Sequence, residues 1–289
     1  MATLADWVEG ARVRTLPAAA APVLVGTGAA YALDAGSVPR ALLAAGVALA
    51  LQIGVNYAND YSDGVRGTDD HRTGPPRLTG SGAAAPRTVK LAAFAAFAVG
   101  GVLGLILVAL AGAWWLVAVG VLSVLAGWWY TGGSRPYGYL GLGEVGVFIF
   151  FGLVATLGTT YTQALQVSWV AVTAAVGIGL IACALLMVNN IRDIPTDARA
   201  GKRTLAVRVG DRPARLLYVG MLVTPFVLVL AVAVAHPWAL LTLALVPLVV
   251  RLVRTVLGGA SGRELIGALR ETGLLELGYG VLLGVGLAL

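Results

Sequence analysis

Asn56, Asn59, Asp60 and Asp63 stand close together in the first quarter of the chain, with Asp69 and Asp70 just beyond. Asn189, Asn190, Asp193 and Asp197 form a second group, and the two groups hold six of the fourteen acidic residues. Steps of four and three residues put Asn56, Asp60 and Asp63 on one helix face, and steps of four and four do the same for Asn189, Asp193 and Asp197. Oxygen-only donors of this kind suit Mg²⁺, which keeps several waters and binds through a few carboxylates plus substrate phosphates. Asn56, Asp60, Asp63, Asp193 and Asp197 are therefore the candidate metal ligands, and the four aspartates the candidate catalytic residues. Asn59 and Asp69 are weaker additions. Basic side chains follow each group: Arg66, Arg72, Arg77, Arg87 and Lys90 after the first, Arg192, Arg199, Lys202, Arg203 and Arg208 after the second. Lys202 and Arg203, then Arg77 and Arg192, are the candidate contacts to a diphosphate. One acidic group alone reads as a solvated helix end; two matched groups, each trailed by cations, read as a grip on a metal-bound polyanion.

The elements that carry these groups are membrane helices. The chain is 58% hydrophobic and 12% charged, with mean hydropathy +0.87, which excludes a soluble globular protein. No charge occurs between Lys90 and Arg135, only Glu144 between Arg135 and Arg192, and none between Arg215 and Arg251. Each run is too long for one crossing of a hydrocarbon core about 30 Å thick. The pattern predicts an all-α polytopic bundle of about nine transmembrane helices, over about 16–33, 41–60, 89–110, 114–131, 139–161, 168–191, 216–235, 238–253 and 272–289. Residues 4–13 predict a short amphipathic helix on the membrane surface. Pro195 predicts a break that would put Asp197 on a restarted helix.

Charge sets the orientation. Nineteen of the twenty Lys and Arg fall in the N-terminal segment or around the loops after helices two, four, six and eight; Arg40 alone falls opposite. These loops are expected to be cytoplasmic in a cell-membrane protein. Both acidic groups then end the second helix of a four-helix unit on that face. The chain thus reads as one domain, 1–289, made of two same-orientation halves (about 16–131 and 139–253) and a ninth helix. The net charge of +6 follows loop position without aromatic interleaving, so no nucleic-acid partner is expected. The only cysteine, Cys183, excludes an intrachain disulfide and a cysteine-cluster metal site. No cleaved signal peptide is expected. Glu144, alone in an apolar stretch, is the candidate for an acceptor pocket, with Tyr130, Tyr137, Tyr139 and Asn189 beside it. A cation-coupled transporter is a rival, but its acids would sit near the midplane between repeats that are often inverted.

At these residues the chain resembles the UbiA-type intramembrane prenyltransferases over essentially its whole length. The carrying segments are Asn59-Asp60-Tyr61-Ser62-Asp63, Asp193-Ile194-Pro195-Thr196-Asp197, Tyr130-Thr131-Gly132-Gly133 with Arg135-Pro136, Gly141-Leu142-Gly143-Glu144 and Gly201-Lys202-Arg203-Thr204. Where the family's first motif usually carries another Asp, this chain has Gly67, and the next acid is Asp69. The likeness is greatest to members that prenylate 1,4-dihydroxy-2-naphthoate in menaquinone biosynthesis. It implies a bundle around a lipid-open cavity, Mg²⁺-bound polyprenyl diphosphate at the cytoplasmic mouth, and loss of CO₂ and diphosphate to give demethylmenaquinone. Another aromatic acceptor, such as 4-hydroxybenzoate, is the alternative within the family.

Overall fold

The structure is a computed structural model that describes residues 2–67 and 77–289. Asp69, Asp70, His71 and Arg72 lie outside the described residues. Among the described residues every regular element is helical. They are α1 (Leu4–Gly10), α2 (Leu16–Tyr31), α3 (Val38–Val65), α4 (Pro86–Ala111), α5 (Leu116–Trp129), α6 (Gly143–Val147), α7 (Ala155–Ala164), α8 (Trp169–Arg199), α9 (Leu205–Val209), α10 (Asp211–Val232), α11 (Val246–Leu257) and α12 (Glu264–Ala288). A π-helical segment, Phe148–Val154, joins α6 to α7, and a 3₁₀ segment, Pro237–Leu245, leads into α11. Seven units are long and apolar enough to cross a membrane: α3, α4, Gly143–Ala164, α8, α10, Pro237–Leu257 and α12. With the shorter α2 and α5 they fill the nine predicted positions.

Several ends differ from expectation for identifiable reasons. The surface helix α1 is set by a capping box between Thr3 and Asp6. The helix predicted to start at 139 starts instead at Gly143. Before it, Tyr137–Leu140 forms a 3₁₀ turn and Gly141 takes φ +79°, which glycine adopts without steric cost. Both motif helices run further than apolar patterning indicated, α3 to Val65 and α8 to Arg199. The predicted break at Pro195 is absent. Pro195 sits inside α8 on an exposed face, and the turn around it is held by Thr196 Oγ1 donating to the Asp193 carbonyl (2.9 Å) and Arg199 Nε donating to the Pro195 carbonyl (3.0 Å). Asn189, Asp193 and Asp197 therefore share one face of an uninterrupted helix.

Each motif helix packs most extensively on the spanning helix that follows it, α3 on α4 and α8 on α10. The ninth helix, α12, closes the bundle against α2. Gly280 and Gly284 make that approach possible, since a Cβ on either would lie 2.8 Å from Ala21 Cα or 2.7 Å from the Leu24 carbonyl oxygen. The main core surrounds α8, with Ile178, Ile181, Met187, Tyr218, Leu222, Leu275 and Leu283 fully buried. Trp114, Trp115, Trp169 and Trp238 stay more than half exposed at the end of the bundle opposite the motifs, as interfacial anchors do.

Candidate active site

Three loops converge on the end of α3. Asp63, near its last turn, is buried and accepts hydrogen bonds from Arg77 Nη1 (2.5 Å, on Oδ2), Lys202 Nζ (3.3 Å, on Oδ1) and the Tyr139 hydroxyl. Arg77 belongs to the segment before α4, Tyr139 to the turn before α6, and Lys202 to the loop after α8. The last of these bonds links the two halves of the chain directly. Tyr139 lies between two cations, with Lys202 Nζ 4.6 Å and Arg66 Cζ 5.3 Å from its ring centroid. Its carbonyl accepts the Arg203 N–H (2.9 Å), which ties the loop after α8 to the same place.

The second group faces this cluster. Arg192 forks onto Asp193, with Nε 2.7 Å and Nη2 2.5 Å from the two carboxylate oxygens, and also donates to Asn189 Oδ1 (2.9 Å). Asp197, one turn on, lies within the electrostatic reach of Lys202, Asp193 and Asp63 together. The described ion pairs engage Asp63 and Asp193 but leave Asp197 open. Burial alone would lower the Lys202 pKa, but Asp63, Tyr139 and Asp197 together raise it above the ordinary lysine value. Lys202 is thus a fixed cation at neutral pH.

Other predicted residues are placed differently. Both Asp60 carboxylate oxygens are taken by backbone amides, Leu78 N–H (2.9 Å) and Thr79 N–H (2.8 Å), so this buried acid anchors the loop that carries Arg77. The Asn56 amide points to the N-terminal segment, donating to the Ala11 carbonyl (2.9 Å) and Thr15 Oγ1 (3.0 Å), while its oxygen accepts from Gln52 Nε2 (3.3 Å). Asn59 Oδ1 is engaged by the Thr131 hydroxyl (2.7 Å). Arg203 contributes through its backbone, and its side chain is exposed. Tyr139 lies against Lys202 and Asp63.

Glu144 sits in the first turn of α6, buried, with Oε1 accepting from Asn190 Nδ2 (2.9 Å). Near it the Tyr130 and Tyr137 rings meet edge to face, 5.5 Å between centroids. Burial pushes the Tyr137 phenol up to about 12, so it remains a neutral donor. The sequence groups Asn190 with the second acidic cluster and Arg66 with the cations after the first, but gives neither its partner: Asn190 meets Glu144 and Arg66 meets Tyr139. Asn190 is about 100° around the helix from Asn189 and so turns to α6. The signal available was the adjacency of two asparagines in an apolar helix.

The UbiA prenyltransferase family model matches residues 19–261. The chain belongs to that family. Among its relatives, a 1,4-dihydroxy-2-naphthoate octaprenyltransferase of Mycobacterium tuberculosis is 56% identical over 277 residues, covering 96% of this chain and 94% of the relative. The Escherichia coli protein of the same name is 38% identical, covering 87% of this chain and 84% of its own length. A UbiA homolog from Aeropyrum pernix superposes with TM-score 0.71 at 18% identity, over 95% of this chain and 98% of that one. A UbiA homolog from Archaeoglobus fulgidus, bound to geranyl diphosphate (GPP) and Mg²⁺, gives TM-score 0.62 at 15% identity, over 97% and 99%. Membership makes this chain a prenyltransferase.

Proposed function

We propose that this multi-pass membrane prenyltransferase transfers a polyprenyl group from polyprenyl diphosphate to 1,4-dihydroxy-2-naphthoate, with loss of CO₂ and diphosphate, in menaquinone biosynthesis. One observation carries the site: Lys202, after the second acidic group, is bonded to Asp63 in the first, so a single space receives both. The names of the relatives favour the naphthoate acceptor over 4-hydroxybenzoate. Clustering of the acids at helix ends on one side argues against transport.

The donor set fits Mg²⁺. Asp63, Asp193 and Asp197 offer carboxylate oxygens alone, and Asp197 is open. Among the described residues no three carboxylates lie close enough to hold one ion by themselves, so Mg²⁺ held by some of these acids together with phosphate oxygens would supply charge stabilisation to the departing diphosphate. Arg77, Lys202 and Arg192 now neutralise Asp63 and Asp193, and each can turn its donors to phosphate oxygens when the acids take the metal. Three fixed cations aimed where negative charge grows lower the barrier electrostatically. Arg66 and Lys202 hold the Tyr139 ring, and Tyr139 orients Asp63. The apolar helices behind exclude water from the allylic cation. Tyr130, Tyr137, Glu144 and Asn189 are the proposed acceptor-side residues. The immediate product is the reduced, hydroquinone form of demethylmenaquinone. The basic loops support a cytoplasmic location for this site.

Membranes containing the protein, given 1,4-dihydroxy-2-naphthoate, 4-hydroxybenzoate and a mixture of prenyl diphosphates, should yield the decarboxylated prenyl-naphthalenediol by mass spectrometry. Prenylated 4-hydroxybenzoate with no naphthoate product would reject the proposed acceptor.

A further inference from the structure

Glu144 has half of its hydrogen bonding filled. The residue is 5% exposed, Oε1 accepts from Asn190, and Oε2 is buried with no donor among the described residues. Leaving a buried acceptor unmade costs about 1–3 kcal/mol, and more for a charged one. A native site retains such an atom when a ligand completes it. The surroundings indicate which ligand. Glu144 is fixed by the first turn of α6 and by Cys183 Sγ donating to its carbonyl (3.2 Å). The Tyr130 hydroxyl packs over Gly143, where a Cβ would lie 3.4 Å from it, and the Tyr130 ring lies edge to face with Tyr137. Gly143 directly precedes Glu144, so the Tyr130 hydroxyl lies beside the turn that carries the carboxylate. The titratable groups facing Glu144 are Tyr130 from the end of α5 and Cys183 from α8. Glu276 also lacks donors, but its neighbours on α12 are Thr272, bonded to Tyr218, and Tyr279, bonded to the Pro225 carbonyl, inside the core.

We propose that Glu144 Oε2 takes the proton of the acceptor's ring hydroxyl and later returns it, with Asn190 as the residue that positions the carboxylate. The proposal rests on the acceptor reading above. As the carboxyl-bearing ring carbon bonds to the allylic carbon, the C–O bond to diphosphate breaks and its electron pair leaves with diphosphate. The neighbouring hydroxyl gives its proton to Glu144 and becomes a ketone. The bond from the ring to the carboxylate then breaks, CO₂ departs, and its electron pair restores the aromatic ring. The resulting oxide recovers the proton from Glu144. No oxidant and no outside base is needed.

The test compares wild type, Glu144→Gln, Glu144→Asp and Asn190→Leu in membranes, with kcat and KM for each substrate. Glutamine can still accept the Asn190 bond but cannot take a proton, so a structural role would leave Glu144→Gln active. The proposal expects kcat to fall by about 100-fold or more in Glu144→Gln, with KM for prenyl diphosphate unchanged. Glu144→Asp should recover much of that loss. Wild-type kcat in Glu144→Gln, or no recovery in Glu144→Asp, would overturn it. If the Glu144 variants fail to accumulate, Asn190→Leu decides: raised KM for naphthoate with lowered kcat supports the pair, and unchanged values for both refute it. A wild-type protein that makes no naphthoate product removes the acceptor reading and this one together. Wild-type product with an undiminished Glu144→Gln removes this one alone.

Discussion

Asp60 and Asp63 are three residues apart in one motif, yet their oxygens do different work. Asp63 meets Arg77, Lys202 and Tyr139, whereas each Asp60 oxygen accepts one loop amide. Asp63→Asn should lower kcat by about 100-fold per folded molecule, since it removes a proposed Mg²⁺ ligand and the anion that holds Arg77 and Lys202 in place. Asp60→Asn should act on stability, costing about 1.5–3 kcal/mol for a charge-assisted amide bond, with a lower thermal midpoint and a milder activity loss. Equal activity losses at equal folded fraction would contradict the division. Lys202 gives a pH test. Its folded-state pKa is raised, so its stabilisation is fully present below the ordinary lysine value and is lost as pH climbs through the raised one. The difference in thermal midpoint between wild type and Lys202→Ala should hold through neutral pH and shrink only in strong alkali. A difference that disappears near pH 7 would show that Lys202 is not held as described.

At the scale of elements, apolar patterning finds a helix only while it runs through lipid. It located every spanning segment but ended α3 and α8 near the bilayer edge, and those last turns carry Asp63, Asp193 and Asp197. Helical spacing supplied what patterning could not, placing the acids of each group on one face. It could not say which oxygens were already taken. Asn56 and Asp60 share that face with Asp63, but their partners come from Ala11, Thr15, Leu78 and Thr79, residues distant in sequence with no local signal. The pairing of Lys202 and Arg77 with Asp63 was foreshadowed by the position of these cations just after the acidic groups. The bond from Tyr139 to Asp63 was not legible, because Gly141 ends the turn before the helix begins. The bond from Asn56 to Ala11 also makes α1 part of this frame, together with Tyr57 donating to the Trp7 carbonyl (2.9 Å). Asn56→Ala should free the N-terminal segment and speed its cleavage by added protease, with catalysis falling less than in Asp63→Asn. Unchanged cleavage would show that α1 is held by its membrane face alone.

Across the whole molecule, one side gathers the basic loops and the other holds a single arginine. That arginine is neutralised structurally: Arg40 donates to the carbonyls of Leu110 (2.7 Å), Thr162 (3.1 Å) and Gln163 (3.2 Å), clamping the ends of α4 and α7. Its charge caps helix C-termini and leaves the orientation argument intact. Arg40→Ala should lower the thermal midpoint while leaving kcat per folded molecule unchanged; a kcat loss at unchanged midpoint would contradict this. The two halves meet where Lys202 touches Asp63, and the account depends on their sharing one ligand. The most direct measurement is Mg²⁺-dependent binding of a non-transferable prenyl thiodiphosphate to wild type, Asp63→Asn, Asp197→Asn and the double variant. Shared coordination predicts that each single change removes the Mg²⁺-dependent gain in affinity and that the double change adds little more. Full Mg²⁺ dependence in either single variant, or losses that simply add, would mean that the two acidic helix ends serve separate sites.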